Sequence, residues 1–472
     1  MKCIELFRPS GTIDRSAYAV IGLAGFVIKH NLDRAVASMF DRPWGLFNYW
    51  VPVRDVARIT SLQTQDAKFL ATLLALALPF VWVGVVLTIK RLRSAQLPTW
   101  LVALFFVPFV NLLFFLVLCV VPHRDPGSAQ PMRRAAALAR IVPESKLGSA
   151  AVSLLLIVPI GIGLTVLGTV VFTDYGWGLF VAVPFTVGLG AAMIYGIREP
   201  RSLKSSVGVA CAAVGLLGAA ILGVALEGAF CLLMAMPLAL ALAAFGGVCG
   251  YLAQCRPNFS KDAPAFLGLA LILAPGAQWM EHAVAAHPSS LMVSSAIDVQ
   301  APPEVVWKYV IAFSEIPEPR EWYFRGGIAY PIRAEIKGKG PGAERHCIFS
   351  TGPFVEPIEI WDEPRRLKFS VSSNPEPLEE WSPYRHIEPA HLRGYLVSQA
   401  GQFLLTPLPD GGTRIEGTTW YRHGLWPSSY WRLWSDAIIH HIHLRVLRHI
   451  KQEAETAVSA DPSLRTSRKQ PM

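Results

Sequence analysis

The distribution of apolar residues divides this chain near residue 288. From Phe69 to Ala286, apolar runs of about 20 residues follow one another with few charges, and no such run occurs afterwards. The hydrocarbon core of a bilayer is about 30 Å thick, so an α-helix needs roughly 20 mostly apolar residues to cross it. The sequence therefore predicts a multi-pass α-helical membrane region followed by a C-terminal domain outside the bilayer.

Composition agrees with a membrane protein and limits the cofactor classes. Charged residues make up 16% of the chain and hydrophobic residues 52%, whereas soluble domains carry about 25% charged residues. The net charge of +9 is explained by basic loops at lipid headgroups. Because no basic stripe with interleaved aromatics occurs after residue 288, nucleic acid is not expected as a partner. Cys347 is the single cysteine of the C-terminal part, and no cysteine–histidine metal spacing occurs, so no metal or other cofactor is expected.

Among the candidate membrane spans, the first is the one that charged residues interrupt. The first is the weakest, because Lys29, His30, Asp33 and Arg34 fall within it. Residues 99–121 form either a full span or a re-entrant hairpin with Pro108 and Asn111 at its tip, and both alternatives stay open. The candidate ranges are 16–40, 69–89, 99–121, 149–172, 177–197, 205–226, 229–253 and 264–286.

Lysine and arginine in short loops indicate the cytoplasmic side. Three positive loops can share that side: Arg124–Lys146, Arg198–Lys204 and Arg256–Lys261. The last span then leaves the cytoplasm, and no lysine or arginine lies between Ala283 and Lys308. The balance favours an extracytoplasmic C-terminal domain. The side stays open, because Lys90–Arg93 breaks the pattern if 99–121 crosses fully.

Two N-terminal motifs carry a family resemblance. Leu6–Tyr18 reads LFRPSGTIDRSAY and contains the pattern Gly-x-x-x-Arg-x-x-Tyr, and Lys90–Arg93 is a basic turn that precedes Trp100 and an apolar run. Over about residues 4–122 the chain resembles the DUF805 family of small bacterial inner-membrane proteins. The family's usual Asp and Gly at the turn are replaced by Ser94–Gln96. The resemblance implies membrane topology and a bacterial inner membrane, and no mechanism.

The C-terminal part changes from helical to alternating periodicity. Leu291–Val299 is predicted to be a strand, a helix begins at Pro303, and a short helical or loop segment covers 318–324. A long helix is predicted over 428–457. Further strands are predicted at 331–338, 343–351, 354–362, 366–373, 397–408 and 412–422, with turn residues between them.

This order of elements, with the phrase VQAPPEVVW at Val299–Trp307, resembles the START-like superfamily, including its polyketide-cyclase-type members. The resemblance covers about 290–457. It implies a helix-grip fold, in which a curved antiparallel sheet holds the C-terminal helix and encloses an apolar cavity. It also implies a hydrophobic ligand such as a lipid, isoprenoid or polycyclic molecule. Some members are enzymes and many only bind.

The long helix carries an apolar stripe that is expected to face the sheet or the cavity. Its predicted ligand-binding members are Trp431, Trp434, Ile438 and Ile442, and Val446 and Ile450 continue it. Such a stripe is more often core than ligand site. His440, His441, His443 and His449 lie on the same helix, but no carboxylate completes a metal face, so solvated imidazoles are the preferred interpretation.

The insertion Ser373–Val397 is long and irregular, as lids and binding loops are. It is interpreted either as a lid over the cavity or as a proline-stiffened loop packed on the membrane part. As a lid, its ligand-binding candidates are Trp381, Tyr384, Arg385, His386 and His391.

Together these features predict a multi-pass α-helical membrane protein fused to an α+β helix-grip domain. The predicted regions are a DUF805-like part (1–122), a basic loop (123–147), a helical bundle of about five spans (148–287), a ligand-binding domain (288–458) and a disordered tail (459–472). The predicted function is membrane-tethered binding of a hydrophobic or amphipathic ligand, and the partners are that ligand and the bilayer. The catalytic residues and the oligomeric state are not predicted.

Two alternatives stay open. One is a cyclase- or hydrolase-type enzyme that uses His386, Glu388 and His391, because acid–base catalysis needs such groups near the reacting proton. The other is a non-catalytic interaction module of the envelope, which a domain without a cavity above about 300 Å³ would favour.

Overall fold

The computed structural model resolves the chain into two compact units. One comprises Met1–Ala283 with Ser382–Ile387, and the other comprises Val284–Trp381 with Glu388–Met472. The residues described are 6–42, 44–45, 49, 64–95, 97, 99–106, 111, 114–115, 118–119, 141–256, 259–283, 289–384, 387 and 389–461. The predicted internal boundaries of the membrane region stay predictions.

The described part of the first unit consists of helices joined by turns and short loops. Helix α3 (Lys146–Val166) continues into a π-helical turn at Leu167–Phe172, and a second π-helical turn at Gly178–Ala182 leads into α4 (Val183–Tyr195). A 3₁₀ segment covers Thr99–Phe106. The α-helices are α1 (Arg15–Met39), α2 (Thr64–Ser94), α3 (Lys146–Val166), α4 (Val183–Tyr195), α5 (Leu203–Gly223), α6 (Ala229–Gln254) and α7 (Phe259–Ala283).

Within the described residues, five helices are long and apolar enough to cross a membrane. They are Lys68–Ser94, Lys146–Phe172, Gly178–Tyr195, Leu203–Gly223 and Ala229–Gln254. The prediction of a multi-pass α-helical membrane protein is confirmed. The predicted spans 16–40 and 264–286 form α1 and α7, which are not among the five, and much of 99–121 lies outside the described residues.

Side chains at the basic end of α2 form hydrogen bonds with the backbone of the N-terminal motif. Ser94 Oγ accepts from the Ile13 N–H at 2.9 Å and donates to the Ile13 carbonyl at 2.7 Å. The Arg93 guanidinium donates to the Pro9 carbonyl, and Arg91 Nε donates to the Leu118 carbonyl at 2.8 Å. The two sequence motifs of this region therefore form one structural cluster.

Helices α4 and α6 pack closely because glycines replace side chains where the helices cross. A Cβ on Gly188 would lie 2.4 Å from the Ala243 carbonyl oxygen, and one on Gly246 would lie 2.4 Å from the Phe185 carbonyl oxygen. Small residues let helix backbones approach closely in a bilayer. Not every helical glycine has this role, because a Cβ on Gly208 or Gly215 would meet nothing within 4 Å.

The second unit contains one curved, seven-stranded antiparallel sheet. Its strands are β1 (Leu291–Val299), β2 (Pro331–Lys337), β3 (Glu344–Phe349), β4 (Gly352–Asp362), β5 (Arg366–Ser370), β6 (Leu396–Pro407) and β7 (Thr413–His423). Their order in the sheet is β1-β7-β6-β5-β4-β3-β2, so β1 and β2 form its two ends. The ladder pairs Leu291 with Tyr421 and Arg345 with Glu356.

The long helix α10 (Ser428–Ala460) packs on this sheet, and the short helices α8 (Pro303–Ile311) and α9 (Trp322–Arg325) lie between β1 and β2 in sequence. Trp307 of α8 is 1% exposed and contributes to the core with Leu447 and Ile450 of α10. The predicted helix-grip fold is confirmed by this strand order and helix. The helix continues through Ser459 and Ala460, where a tail was expected, and 462–472 lie outside the described residues.

Replacing Gly188 by valine is expected to force α4 and α6 apart, because the new side chain meets backbone atoms, which no rotamer change can move. We expect a loss of about 1–3 kcal/mol, measured as a lower unfolding temperature in detergent. Gly208→Val is the matched control, because open space surrounds that position. Equal effects of the two substitutions would contradict the close crossing.

Candidate functional site

A cavity of about 120 Å³ lies between the sheet and α10 in the second unit. Its wall combines aromatic and aliphatic side chains with a few polar ones. The aromatic members are Phe313, Phe349, Phe354, Phe369 and Phe403. The helix contributes Ile439, Ile442, His443, Val446 and Leu447, and the polar members of the sheet are Arg345, Cys347, Glu356, Ser398, Gln402, Thr418 and Thr419.

Arg345 and Glu356 form a buried ion pair in the cavity wall. They are directly opposite each other on β3 and β4, and their side chains are 2% and 8% exposed. Arg345 Nη1 donates to the Glu356 carboxylate, and Nε donates to the Ile311 carbonyl at 3.0 Å. Because ions lose much hydration on burial, only such pairing and hydrogen bonding make the arrangement tolerable.

Aromatic rings surround the guanidinium. Its carbon lies 5.7 Å from the ring centre of Phe313 and 5.6 Å from those of Phe369 and Phe403. A cation within about 6 Å of a ring centre is attracted by the ring quadrupole. The rings thus replace part of the hydration that Arg345 loses.

His443 brings an imidazole to the cavity from α10. Its Nε2 lies 2.7 Å from Thr419 Oγ1, and its Nδ1 lies 3.1 Å from Ser295 Oγ, which is also 2.7 Å from His440 Nδ1. Burial, with a smaller contribution from the charge on His440, lowers the pKa of His443 to about 4. The ring is therefore neutral at pH 7, and it donates one hydrogen bond and accepts one.

Burial also shifts the other titratable groups of the cavity. It raises the pKa of the Cys347 thiol to about 12, so this cysteine is a thiol and not a nucleophilic thiolate at neutral pH. Burial raises the pKa of Glu356, and the neighbouring Arg345 guanidinium opposes that rise. Burial acts to lower the pKa of Arg345, but the charges and hydrogen bonds of Glu356 and Cys347 together outweigh it, and the pKa is raised.

Two glycines shape the cavity in different ways. A Cβ on Gly401 would lie 2.5 Å from the Phe369 ring, so this glycine makes room for an aromatic wall residue. A Cβ on Gly417 would make only ordinary contacts, at 3.6 Å from Phe403 and 3.8 Å from Leu447. Glycine inside a strand weakens it and often marks a position that a ligand approaches closely.

Of the ligand-binding residues predicted on the long helix, Ile442 lines this cavity. Trp431, Trp434 and Ile438 are not among its lining residues, and Ile439 is. The expectation of solvated imidazoles is wrong for His443 and for His449, which is 9% exposed and lies 3.1 Å from Ser314 Oγ. A contact of any predicted residue with a ligand stays a prediction.

The described residues of the insertion are not among those that line the cavity. Trp381 is 69% exposed, and His391 is buried with its Nε2 3.9 Å from the Glu380 carboxylate. Tyr384 belongs to the first unit, where its hydroxyl donates to the Gly223 carbonyl at the end of α5. Arg385, His386 and Glu388 lie outside the described residues. The lid and the catalytic role of these residues stay predictions.

The sequence-based interpretation did not identify Arg345, Glu356 or Gly417. A signal for the first was present in β3, where Arg345 shares the alternating inward face with Cys347 and Phe349. A charged residue on the otherwise apolar, inward face of a strand predicts an oppositely charged partner on the neighbouring strand.

The N-terminal resemblance is confirmed by a family comparison. Residues 6–130 match the family described as "Protein of unknown function (DUF805)". No curated protein matches the sequence.

Among solved structures, similar chains cover the C-terminal part. The aromatase/cyclase Zhui from a Streptomyces species is 16% identical, with a TM-score of 0.23, and the match covers 36% of this chain and 96% of that one. A point mutant of norcoclaurine synthase from Thalictrum flavum, in complex with a transition-state analogue, is 10% identical, with a TM-score of 0.25 and coverage of 37% and 99%. A protein from Nitrosospira multiformis is 16% identical, with a TM-score of 0.23 and coverage of 36% and 99%.

Arg345→Met should destabilise the protein by about 3–5 kcal/mol, because it leaves the Glu356 carboxylate buried without its partner. Chemical denaturation of the full-length protein in detergent measures the loss. The double variant with Glu356→Leu should recover most of it, because two apolar residues replace two buried charges. The control is Arg333→Met in the exposed pair with Glu335. A single variant as stable as the control would contradict the importance of the pair.

The low pKa of His443 makes the stability depend on pH. Between the unfolded value of about 6.5 and the folded value of about 4, the unfolded chain binds a proton at this position and the folded protein does not. Stability therefore falls as the pH drops through this window, by up to about 3 kcal/mol from this residue.

His443→Gln should reduce the slope of unfolding free energy against pH between about pH 6.5 and 4. His441→Gln, at an exposed position of the same helix, controls for the substitution itself. An unchanged slope in the His443 variant would show that this imidazole does not titrate as described.

Proposed function

We propose that the C-terminal domain binds a small, largely apolar molecule in the cavity between the sheet and α10. The observation that supports this most directly is a cavity walled by aromatic side chains. Gly417 lines that cavity, although the neighbouring side chains would leave room for a Cβ at this position. Burial of an apolar ring there contributes about 25 cal/mol for each Å² removed from water. A few polar wall groups would orient the molecule, as in most ligand sites.

The size of the cavity restricts the ligand. Typical sites for drug-sized ligands have about 300–1,000 Å³, and an engineered cavity of about 150 Å³ binds benzene. A cavity of about 120 Å³ therefore matches a single-ring molecule. The lipid, isoprenoid or polycyclic ligand predicted from the sequence would require lining side chains to move. Because the cavity is also smaller than about 300 Å³, the alternative of a non-catalytic interaction module stays open.

The membrane unit gives the binding domain its location. The chain is a multi-pass membrane protein, and we place it in a bacterial inner membrane, with the C-terminal domain on the extracytoplasmic side. The basic loop Arg198–Lys204 supports a cytoplasmic position for the junction between α4 and α5. Tethering keeps the cavity beside the bilayer, where apolar molecules partition, and raises their effective concentration.

Gly417→Leu tests the proposal, because a leucine side chain would occupy the cavity. The full-length protein in lipid nanodiscs is titrated with para-fluorotoluene, and ligand-observed fluorine NMR measures binding beyond partition into empty nanodiscs. We expect the wild type to bind and Gly417→Leu to bind at least tenfold more weakly.

Glu416→Leu is the matched control, because it introduces the same side chain at the adjacent residue of β7, where Glu416 bonds to Ser294 on the exposed side. It should bind as the wild type does, and unfolding temperatures verify that both variants fold. Binding that is equal in Gly417→Leu and the wild type, or absent from the wild type, would refute the proposed function.

A further inference from the structure

One donor in the cavity wall, Arg345 Nη2, is left without a nitrogen or oxygen acceptor from the part of the chain that the structure describes. Arg345 is 1% exposed, its Nε and Nη1 are bonded to Ile311 and Glu356, and the Cys347 thiol beside the guanidinium is only a weak acceptor. A buried donor without an acceptor costs about 1–3 kcal/mol. The residue lines the cavity, so a molecule in that space can supply the acceptor.

The charges around Nη2 decide what kind of acceptor is suitable. Glu356 already neutralises the guanidinium, and His443, the other basic side chain of the wall, is neutral at pH 7. A second carboxylate beside Arg345 would be buried next to that of Glu356, without a second cation to balance it. Burying an unpaired charge costs far more than burying a neutral polar group.

The side chains around the guanidinium indicate what kind of molecule would carry the acceptor. Phe313, Phe369 and Phe403 each present a ring within 6 Å of the guanidinium carbon. Flat aromatic molecules make offset or edge contacts with such rings.

We infer that the ligand is an uncharged aromatic molecule whose single polar group accepts a hydrogen bond from Arg345 Nη2. This inference rests on the proposed function and specifies its ligand class. Glu356 acts as a selectivity residue, because its charge balances Arg345 and disfavours aromatic acids. Aromatic carbonyl compounds have the required chemistry.

Three probes of similar size separate the contributions of the apolar ring, the hydrogen-bond acceptor and the negative charge to binding. Para-fluorotoluene has no strong acceptor, para-fluorobenzonitrile accepts but cannot donate, and para-fluorobenzoate is an anion. Each is titrated by fluorine NMR into the full-length protein in nanodiscs, and Gly417→Leu nanodiscs supply the partition background. The wild type should bind the nitrile at least fivefold more tightly than the toluene, and the benzoate most weakly.

Two variants test the roles of the charges. The Arg345→Met, Glu356→Leu double variant should lose the preference for the nitrile and still bind the toluene. Glu356→Gln leaves the guanidinium charge unbalanced, so its affinity for the benzoate should rise at least tenfold. The matched control is Arg333→Met, Glu335→Leu on β2, an exposed pair outside the cavity, which should keep the wild-type order.

The outcomes distinguish this inference from the proposed function. Toluene binding without a preference for the nitrile, or a preference that persists in the double variant, overturns the inference and leaves the proposed function intact. A Glu356→Gln variant that still rejects the benzoate overturns the selectivity role. If no probe binds the wild type above the background, both proposals fail.

Discussion

The second unit depends on how its sheet encloses α10. The apolar face of that helix packs against strands from both halves of the sheet, and Trp307 of α8 closes the same core. The cavity lies where Ile439, Ile442 and Val446 face the aromatic side chains of the sheet. Packing elsewhere in protein interiors is close to crystal density, so a space of this size is a property of particular side chains.

Buried polar groups lie beside this otherwise apolar interior. Arg345 and Glu356 would be unfavourable as isolated charges, and two apolar residues would satisfy packing at least as well. Their presence beside the cavity, together with a neutral imidazole at His443, provides directed donors and acceptors in a region of low dielectric constant. Such groups contribute little net stability, and in the proposed binding site they would distinguish one ligand from another.

The architecture could be predicted from the sequence because it follows from patterns along the chain. Apolar runs gave the helices of the membrane unit, and alternation gave strands that the structure places within a few residues of the predicted bounds. The side of α10 that faces the cavity was harder to predict. Steps of four residues drift about 40° per step around a helix of 3.6 residues per turn, so a stripe aligned at Ile442 leaves the cavity face at Ile438 and Trp434.

Predicting that Arg345 pairs with Glu356 required the exact register of the hairpin between β3 and β4. Strands ending at 351 and beginning at 354, as predicted, would pair Arg345 with Ile360. The turn lies two residues earlier, and the ladder pairs Arg345 with Glu356. Because side chains alternate and neighbours are set by register, an error of two residues at a turn replaces a charged partner by an apolar one. Gly417 gave no signal, because only the surrounding side chains show that its space is unfilled.

The sheet is open, and its terminal strands therefore carry backbone groups that another chain could recruit for strand addition. At each of these strands, some backbone groups are bonded within the domain. Phe313 exchanges two backbone hydrogen bonds with Ala334 of β2, and Lys451 donates to the Asp298 carbonyl of β1 at 2.8 Å. Domains held in a membrane are concentrated in two dimensions, where exposed strands would aggregate readily. Each edge group that is bonded within the domain leaves one fewer site for such pairing.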